Sequence, residues 1–226
     1  MTKSRILVLG AGGRLGHAAI TAFRDSGWSV IGLLRPGRSA DVPRGTQIRE
    51  VDALDHAAVA EAARGADVVL HALNPAYTEW SRHALPLAYS AIAAAESADA
   101  TLIFPGNLYN YGKGLPPIID EATRRLRVAI EDRMQEAAER GVRIIILRAG
   151  DFFGGGRGSW FDLVITKDIA RGRLVYPGPL DLAHEWAYLP DLATAMLRLA
   201  EIRGALPAFA AFGFPVAKAR ELDNLS

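Results

Sequence analysis

The chain contains no cysteine. Disulfide staples, thiolate nucleophiles and cysteine-ligated metals are thereby excluded, and the composition fits a reducing compartment. Lysine is scarce too, present only at positions 3, 113, 167 and 218, so arginine carries most of the basic charge. Neither sign of charge dominates, because 26 Lys and Arg stand against 25 Asp and Glu for a net charge of +1. The charges are interspersed, which leaves no long-range field to hold nucleic acid or an anionic membrane. Long apolar runs are also missing. The apolar residues after Lys3 and Arg5 end at Gly12-Gly13-Arg14, too soon for a secretory signal, and no stretch approaches a bilayer span. These absences point to a cytoplasmic protein whose partner is a small molecule. What is present is 226 residues, half of them apolar, enough for one substantial core with a small appended lobe.

The opening stretch Arg5-Ile6-Leu7-Val8-Leu9-Gly10-Ala11-Gly12-Gly13-Arg14-Leu15-Gly16 reads as a strand, a tight turn and a helix N-terminus. Glycines at 10, 13 and 16 allow a positive φ, close approach of the backbone to a pyrophosphate, and tight packing of helix on strand. The N–H groups and dipole of that helix end favour an anion. Downstream, short β-branched or Leu-rich runs alternate with Ala-rich helical ones, the rhythm of a parallel sheet covered on both faces. Strands are predicted at Arg5–Leu9, Ser29–Leu34, Gln47–Val51, Val68–Leu73, Thr101–Phe104 and Arg143–Leu147. Helices are predicted at Leu15–Ser26, His56–Arg64, Glu79–Ala98 and Glu121–Arg140. Asp55 and Asp120 stand at N-cap positions, and Gly27, Gly65 and Gly141 where helices should stop. The fold expected is α/β, a Rossmann-type doubly wound parallel sheet over residues 1–149, with ligands at the carboxyl ends of its strands. Residues 150–226 are expected to form a small substrate lobe. It should contain a helix near Trp160–Ala170 and a strand near Arg173–Tyr176, interleaved with a helix over Leu189–Arg203 that returns to the main domain.

The glycine turn, the six-strand rhythm and Leu147-Arg148-Ala149-Gly150 resemble the extended and atypical short-chain dehydrogenase/reductase superfamily, closest to its NAD(P)-dependent epimerase/dehydratase branch. Further matches are Val51-Asp52, Leu70-His71-Ala72-Leu73-Asn74, Phe104 through Gly112, and Trp186-Ala187-Tyr188-Leu189-Pro190-Asp191. The resemblance implies that Gly10, Gly12, Gly13, Arg14, Leu15 and Gly16 form the dinucleotide cradle. Asp52 would accept from the adenine amino group with Ala53 beside it; the alternative is that it merely ends a strand. Ala72, Leu73 and Asn74 would line the path to the nicotinamide ribose. The second strand ends Leu33-Leu34-Arg35-Pro36-Gly37-Arg38 without the carboxylate that binds an NAD ribose. Arg35, joined by Arg14, would instead clamp a 2′-phosphate, so NADP(H) is favoured over NAD(H); the alternative is that both are solvated surface arginines.

The resemblance also implies a Ser or Thr after the fifth strand and a Tyr and a Lys one helical turn apart. Here those positions carry Asn107, Thr123 and Arg127. Asn107 can hydrogen-bond a carbonyl and Arg127 can hold the nicotinamide ribose, but Thr123 is too weak an acid to replace a Tyr. Tyr109-Asn110-Tyr111-Gly112-Lys113 has the literal Tyr-x-x-x-Lys spacing, yet Gly112, Gly114, Pro116 and Pro117 oppose the helix that would give it meaning. Tyr109 alone, just after a strand, is a candidate acid/base residue or an ordinary packed side chain. Asp151 would orient a substrate hydroxyl or act as a base; a capping role in its loop is the alternative. Histidines 17, 56, 71, 83 and 184 lack metal-ligand spacing, so no metal is expected. Trp80 and the pair Phe152-Phe153 could wall an apolar part of a substrate. Small-residue faces on the third and fourth helices suit a homodimer.

Two functions stay open. One is an NADP(H)-dependent oxidoreductase, epimerase or dehydratase acting on a small carbonyl or hydroxyl compound such as a nucleotide sugar. The other is a non-catalytic NADP(H)-binding sensor.

Overall fold

The computed structural model describes residues 3–108, 121–156, 158–178 and 184–214. Seven parallel strands form the central sheet: β1 (Arg5–Leu9), β2 (Ser29–Leu34), β3 (Gln47–Glu50), β4 (Val68–His71), β5 (Thr101–Asn107), β6 (Ile144–Ala149) and β9 (Phe209–Gly213), in the order β3-β2-β1-β4-β5-β6-β9. Ile6, Leu7, Val8 and Leu9 are fully buried, as a strand covered on both faces requires. Helices α1 (Arg14–Asp25) and α5 (Leu189–Glu201) cover one face of the sheet, and α2 (His56–Ala62), α3 (Trp80–Ala98) and α4 (Glu121–Glu139) cover the other. On the first face Phe23 meets Trp28 edge-on, with ring centroids 5.1 Å apart. On the second, the α3 alanines Ala88, Ala91, Ala94 and Ala95 are buried between the sheet and neighbouring helices of the same chain.

The helix ends follow their sequence signals. Asp55 caps α2 by accepting from the Ala58 N–H at 3.0 Å, and Gly27, Gly65 and Gly141 all take positive φ just beyond helices. Asp120 lies outside the described residues.

Beyond β6 the structure departs from expectation. Residues 160–170 are not one helix. Ser159 and Asp162 cap each other reciprocally, a single π-type turn spans Phe161–Ile165, and Ile169–Arg171 forms a separate 3₁₀ turn. Val164, Ile165 and Thr166 are consecutive β-branched residues, and the Thr166 hydroxyl bonds back to the Phe161 carbonyl, so the turn ends there. Residues 173–176 form no strand; Val175 N–H bonds the Ile165 carbonyl instead of a neighbouring ladder. The lobe strands are β7 (Asp151–Phe153) and β8 (Trp186–Tyr188), a parallel pair in which Asp151 stands opposite Trp186. Residues 209–213, expected in the lobe, are β9, the strand that completes the main sheet beside β6. Among the described residues, no helix is long and apolar enough to cross a membrane.

Candidate functional site

Strand order reverses between β1 and β4, so the loops after these strands diverge and open a crevice at their carboxyl ends. A cavity of about 300 Å³ lies there. Its floor is the glycine turn. Gly10 has φ +89°, and a Cβ at this position would stand 2.8 Å from the Ala72 carbonyl oxygen; a Cβ on Gly12 would meet Ala40 at 2.7 Å. Gly13 N–H donates to the Gly10 carbonyl, which closes the turn into α1. Gly16 faces away from the cavity, where a Cβ would collide with that same carbonyl, and Leu15 is buried in the core. Gly10, Gly12 and Gly13 thus bare the backbone to a ligand, while Leu15 and Gly16 hold the helix against the strand.

The cavity walls gather most of the cofactor residues expected from sequence. Arg35, Asp52, Ala53, Ala72, Leu73 and Asn74 all line it. Asp52 Oδ1 accepts from the Leu54 N–H at 3.0 Å, and Asn74 Oδ1 accepts from Trp80 Nε1 at 3.0 Å, so both side chains are oriented before any ligand arrives. Arg38 joins Arg35 in the wall. Register puts Glu50 opposite Leu34, but its carboxylate accepts from the Gly37 N–H at 3.3 Å and does not line the cavity. A bared glycine turn at a helix N-terminus, two guanidinium groups and a pocket of this size fit a phosphate-bearing dinucleotide.

Arg14 goes elsewhere. Its Nη2 donates to the Gly154 carbonyl in the lobe at 2.7 Å, away from the cavity wall that holds Arg35. Burial lowers its pKa, an effect opposed by attraction to Asp162. Asp162 is itself held below its ordinary range, chiefly by the Ser159 hydroxyl and N–H.

Arg127 and Asn107 line a second, smaller hollow with Trp80, Phe104 and Glu131. The Arg127 guanidinium sits 4.3 Å over the Trp80 ring. Asn107 ends β5 opposite Ala149 of β6, and Thr123 falls in the first turn of α4. Behind them Glu131 takes a bidentate bond from Arg148, with Nη2 to Oε2 at 2.6 Å. Tyr109 and the rest of its Tyr-x-x-x-Lys match lie outside the described residues.

Asp151 is placed where β6 passes into β7, and its Oδ2 lies 2.9 Å from His184 Nε2. Sequence reasoning did not pair these residues, which are 33 positions apart. Sequence reasoning also passed over His83, which lines the cavity from α3 and contacts Glu79 at 3.2 Å. The only available signal was its place on a helix beginning just after Leu73-Asn74. Among the described residues, no cluster of three or more His, Asp or Glu is arranged to hold a metal.

Comparison with known proteins agrees with this architecture. The model of the NAD dependent epimerase/dehydratase family matches residues 6–207. A UDP-glucose 4-epimerase from Brucella ovis, solved in complex with NAD, superposes with a TM-score of 0.78 at 18% identity, over 97% of this chain and 80% of that one. The Bordetella bronchiseptica enzyme WbmH, in complex with NAD⁺, gives 0.73 at 14% identity, over 97% and 78% of the two chains. A nucleoside-diphosphate-sugar epimerase from Pseudomonas aeruginosa gives 0.69 at 22% identity, over 99% and 84%. At these identities the structural likeness establishes the fold. A search of curated protein sequences returns no match.

Proposed function

The chain belongs to the NAD dependent epimerase/dehydratase family, and from that membership we propose that it is an NADP(H)-dependent epimerase, dehydratase or reductase acting on a small carbonyl or hydroxyl compound, with nucleotide sugars the first class to try. The observation that carries this reading is the cavity at the β1/β4 crevice, with its bared glycine turn and its paired Arg35 and Arg38. When bound, the nicotinamide supplies or accepts a hydride at a carbon that bears oxygen. The chain's part is to hold and orient. Gly10 and Gly13 bring backbone and the α1 N-terminus to the pyrophosphate. Asp52, with one oxygen fixed by Leu54, offers the other to the adenine amino group. Ala72, Leu73 and Asn74 bound the path toward the reacting ring.

Arg35 and Arg38 take the 2′-phosphate, because both line the cavity whereas the Glu50 carboxylate on the neighbouring strand does not. Titration of NADPH and NADH against wild type and Arg35→Ala checks this. Loss of a charged hydrogen bond corresponds to roughly 10-fold to 100-fold weaker NADPH binding. NADH affinity should hardly move, and tighter binding of NADH than NADPH by the wild type overturns the assignment.

One observation favours a second reading, a non-catalytic NADP(H) sensor. Thr123 and Arg127 stand where the family's Tyr and Lys are expected, and Arg127 is seated on Trp80. NADPH consumption with a panel of nucleotide sugars, aldehydes and ketones separates the two. Turnover supports the enzyme; tight NADPH binding with no turnover across the panel supports the sensor.

A further inference from the structure

If the family's Tyr and Lys are replaced by Thr123 and Arg127, proton transfer to a substrate oxygen needs another donor at the carboxyl edge of the sheet. His184 and Asp151 form a titratable pair at that edge. Asp151 begins β7 two residues past Ala149, the β6 residue in register with Asn107 at the end of β5. Its Oδ2 lies 2.9 Å from His184 Nε2, a bond that selects the Nε2–H form of the neutral ring. The imidazole is gripped by two indoles, stacked on Trp160 at 5.8 Å and tilted against Trp186 at 4.5 Å. Tyr176 meets it edge-on at 6.5 Å, so the ring faces the titratable groups of Asp151 and Tyr176. With Nε2 committed to Asp151, Nδ1 makes no hydrogen bond among the described residues, and both side chains of the pair retain partial exposure, 23% for His184 and 31% for Asp151.

A fixed ring, a carboxylate on one nitrogen and a second nitrogen that no described residue engages are the parts of an acid/base group. The geometry points to His184 as an acid/base residue at the carboxyl edge of the sheet, with Asp151 as the residue that positions it. The assignment rests on the enzyme reading above. In the reducing direction, imidazolium Nδ1–H gives its proton to the carbonyl oxygen as the carbonyl carbon accepts the hydride. The C=O π bond becomes C–H and O–H bonds, and His184 is left neutral until it takes a proton from water. The oxidising direction runs the same steps backwards, with Nδ1 removing the hydroxyl proton.

The test uses the full-length protein with NADPH and the carbonyl compound of the panel that it turns over fastest. His184→Gln should lower turnover roughly 100-fold or more while the NADPH dissociation constant stays within about twofold. Asp151→Asn should lower it by less, since the ring remains but its orienting charge is gone. In His184→Gly, added imidazole should restore turnover in proportion to its concentration, which a purely structural role for the ring would not allow. Independently of activity, diethylpyrocarbonate should carbethoxylate His184 in the wild type, as read by mass spectrometry, because the ring is partly exposed and no described residue engages Nδ1. A His184 that stays unmodified, or turnover that survives His184→Gln, overturns this assignment and leaves the enzyme reading standing. Absence of turnover by the wild type across the panel, with NADPH still bound, overturns the enzyme reading and this assignment with it.

Discussion

At the end of β4, His71 is buried and its ring nitrogens have no hydrogen-bond partner among the described residues, its ring meeting Phe104 edge-on at 5.2 Å. Burial pushes its pKa from 6.5 down to about 4, only weakly opposed by the ring's attraction to its own backbone. The unfolded chain therefore binds an extra proton between these two values, and stability is lost as pH falls through that window. At pH 5 the loss relative to neutral pH is about 2 kcal/mol. Urea unfolding at pH 7 and pH 5 should show this deficit in the wild type and a deficit smaller by that amount in His71→Leu. An equal pH response in the two proteins would remove the explanation. Residues of this kind divide sharply in how far sequence reveals them. Gly10, Gly12, Gly13, Arg35, Asp52, Ala53, Ala72, Leu73 and Asn74 were all legible as cavity residues, because each sits at the carboxyl end of a strand that its own neighbours specify. The destination of Arg14 was not. Its side chain is long enough to choose between the cavity beside Arg35 and the lobe, and only the Gly154 carbonyl decides.

Elements show the same division by range of interaction. Helix α2 has only seven residues and depends on its ends, so the Asp55 cap matters more than it would in a long helix. Asp55→Ala should cost about 1 kcal/mol, read as a lower urea midpoint with unchanged slope. A midpoint identical to the wild type would mean that packing of Val59 alone holds the helix. Strands β1 and β2 lie where the sequence predicts them, since their apolar runs end in glycine or an arginine turn. The segment after Gly158 was misread as a helix. Its apolar spacing suits a helix, yet the Ser159–Asp162 cap is followed within one turn by the Thr166 hydroxyl bonding backwards. Strands β7 and β8 carry no strong signal because each has only three residues and they pair with each other, and β9 is placed by its pairing with β6.

Across the whole molecule, the lobe and the crevice between β1 and β4 share one anchor, the N-terminus of α1. Arg14 opens that helix and donates to Gly154, while Gly155 packs on Leu189 at the start of α5. Removing the guanidinium should loosen the lobe without touching the sheet. Hydrogen exchange in Arg14→Ala should therefore quicken over residues 152–165 and stay unchanged in β1, β4 and β5; uniform quickening would instead indicate general destabilisation. The sequence by itself determined the layered α/β scaffold and the glycine cradle. Apolar runs, caps and a strand–turn–helix are encoded within a few neighbouring residues, and their hydrogen bonds and buried faces follow from local periodicity. Only the tertiary structure decided how the lobe is built and which side chains meet there. His184 and Asp151 come together because the β7–β8 pairing brings two distant segments side by side. Contacts of that kind depend on the closure of long loops rather than on any pattern along the chain.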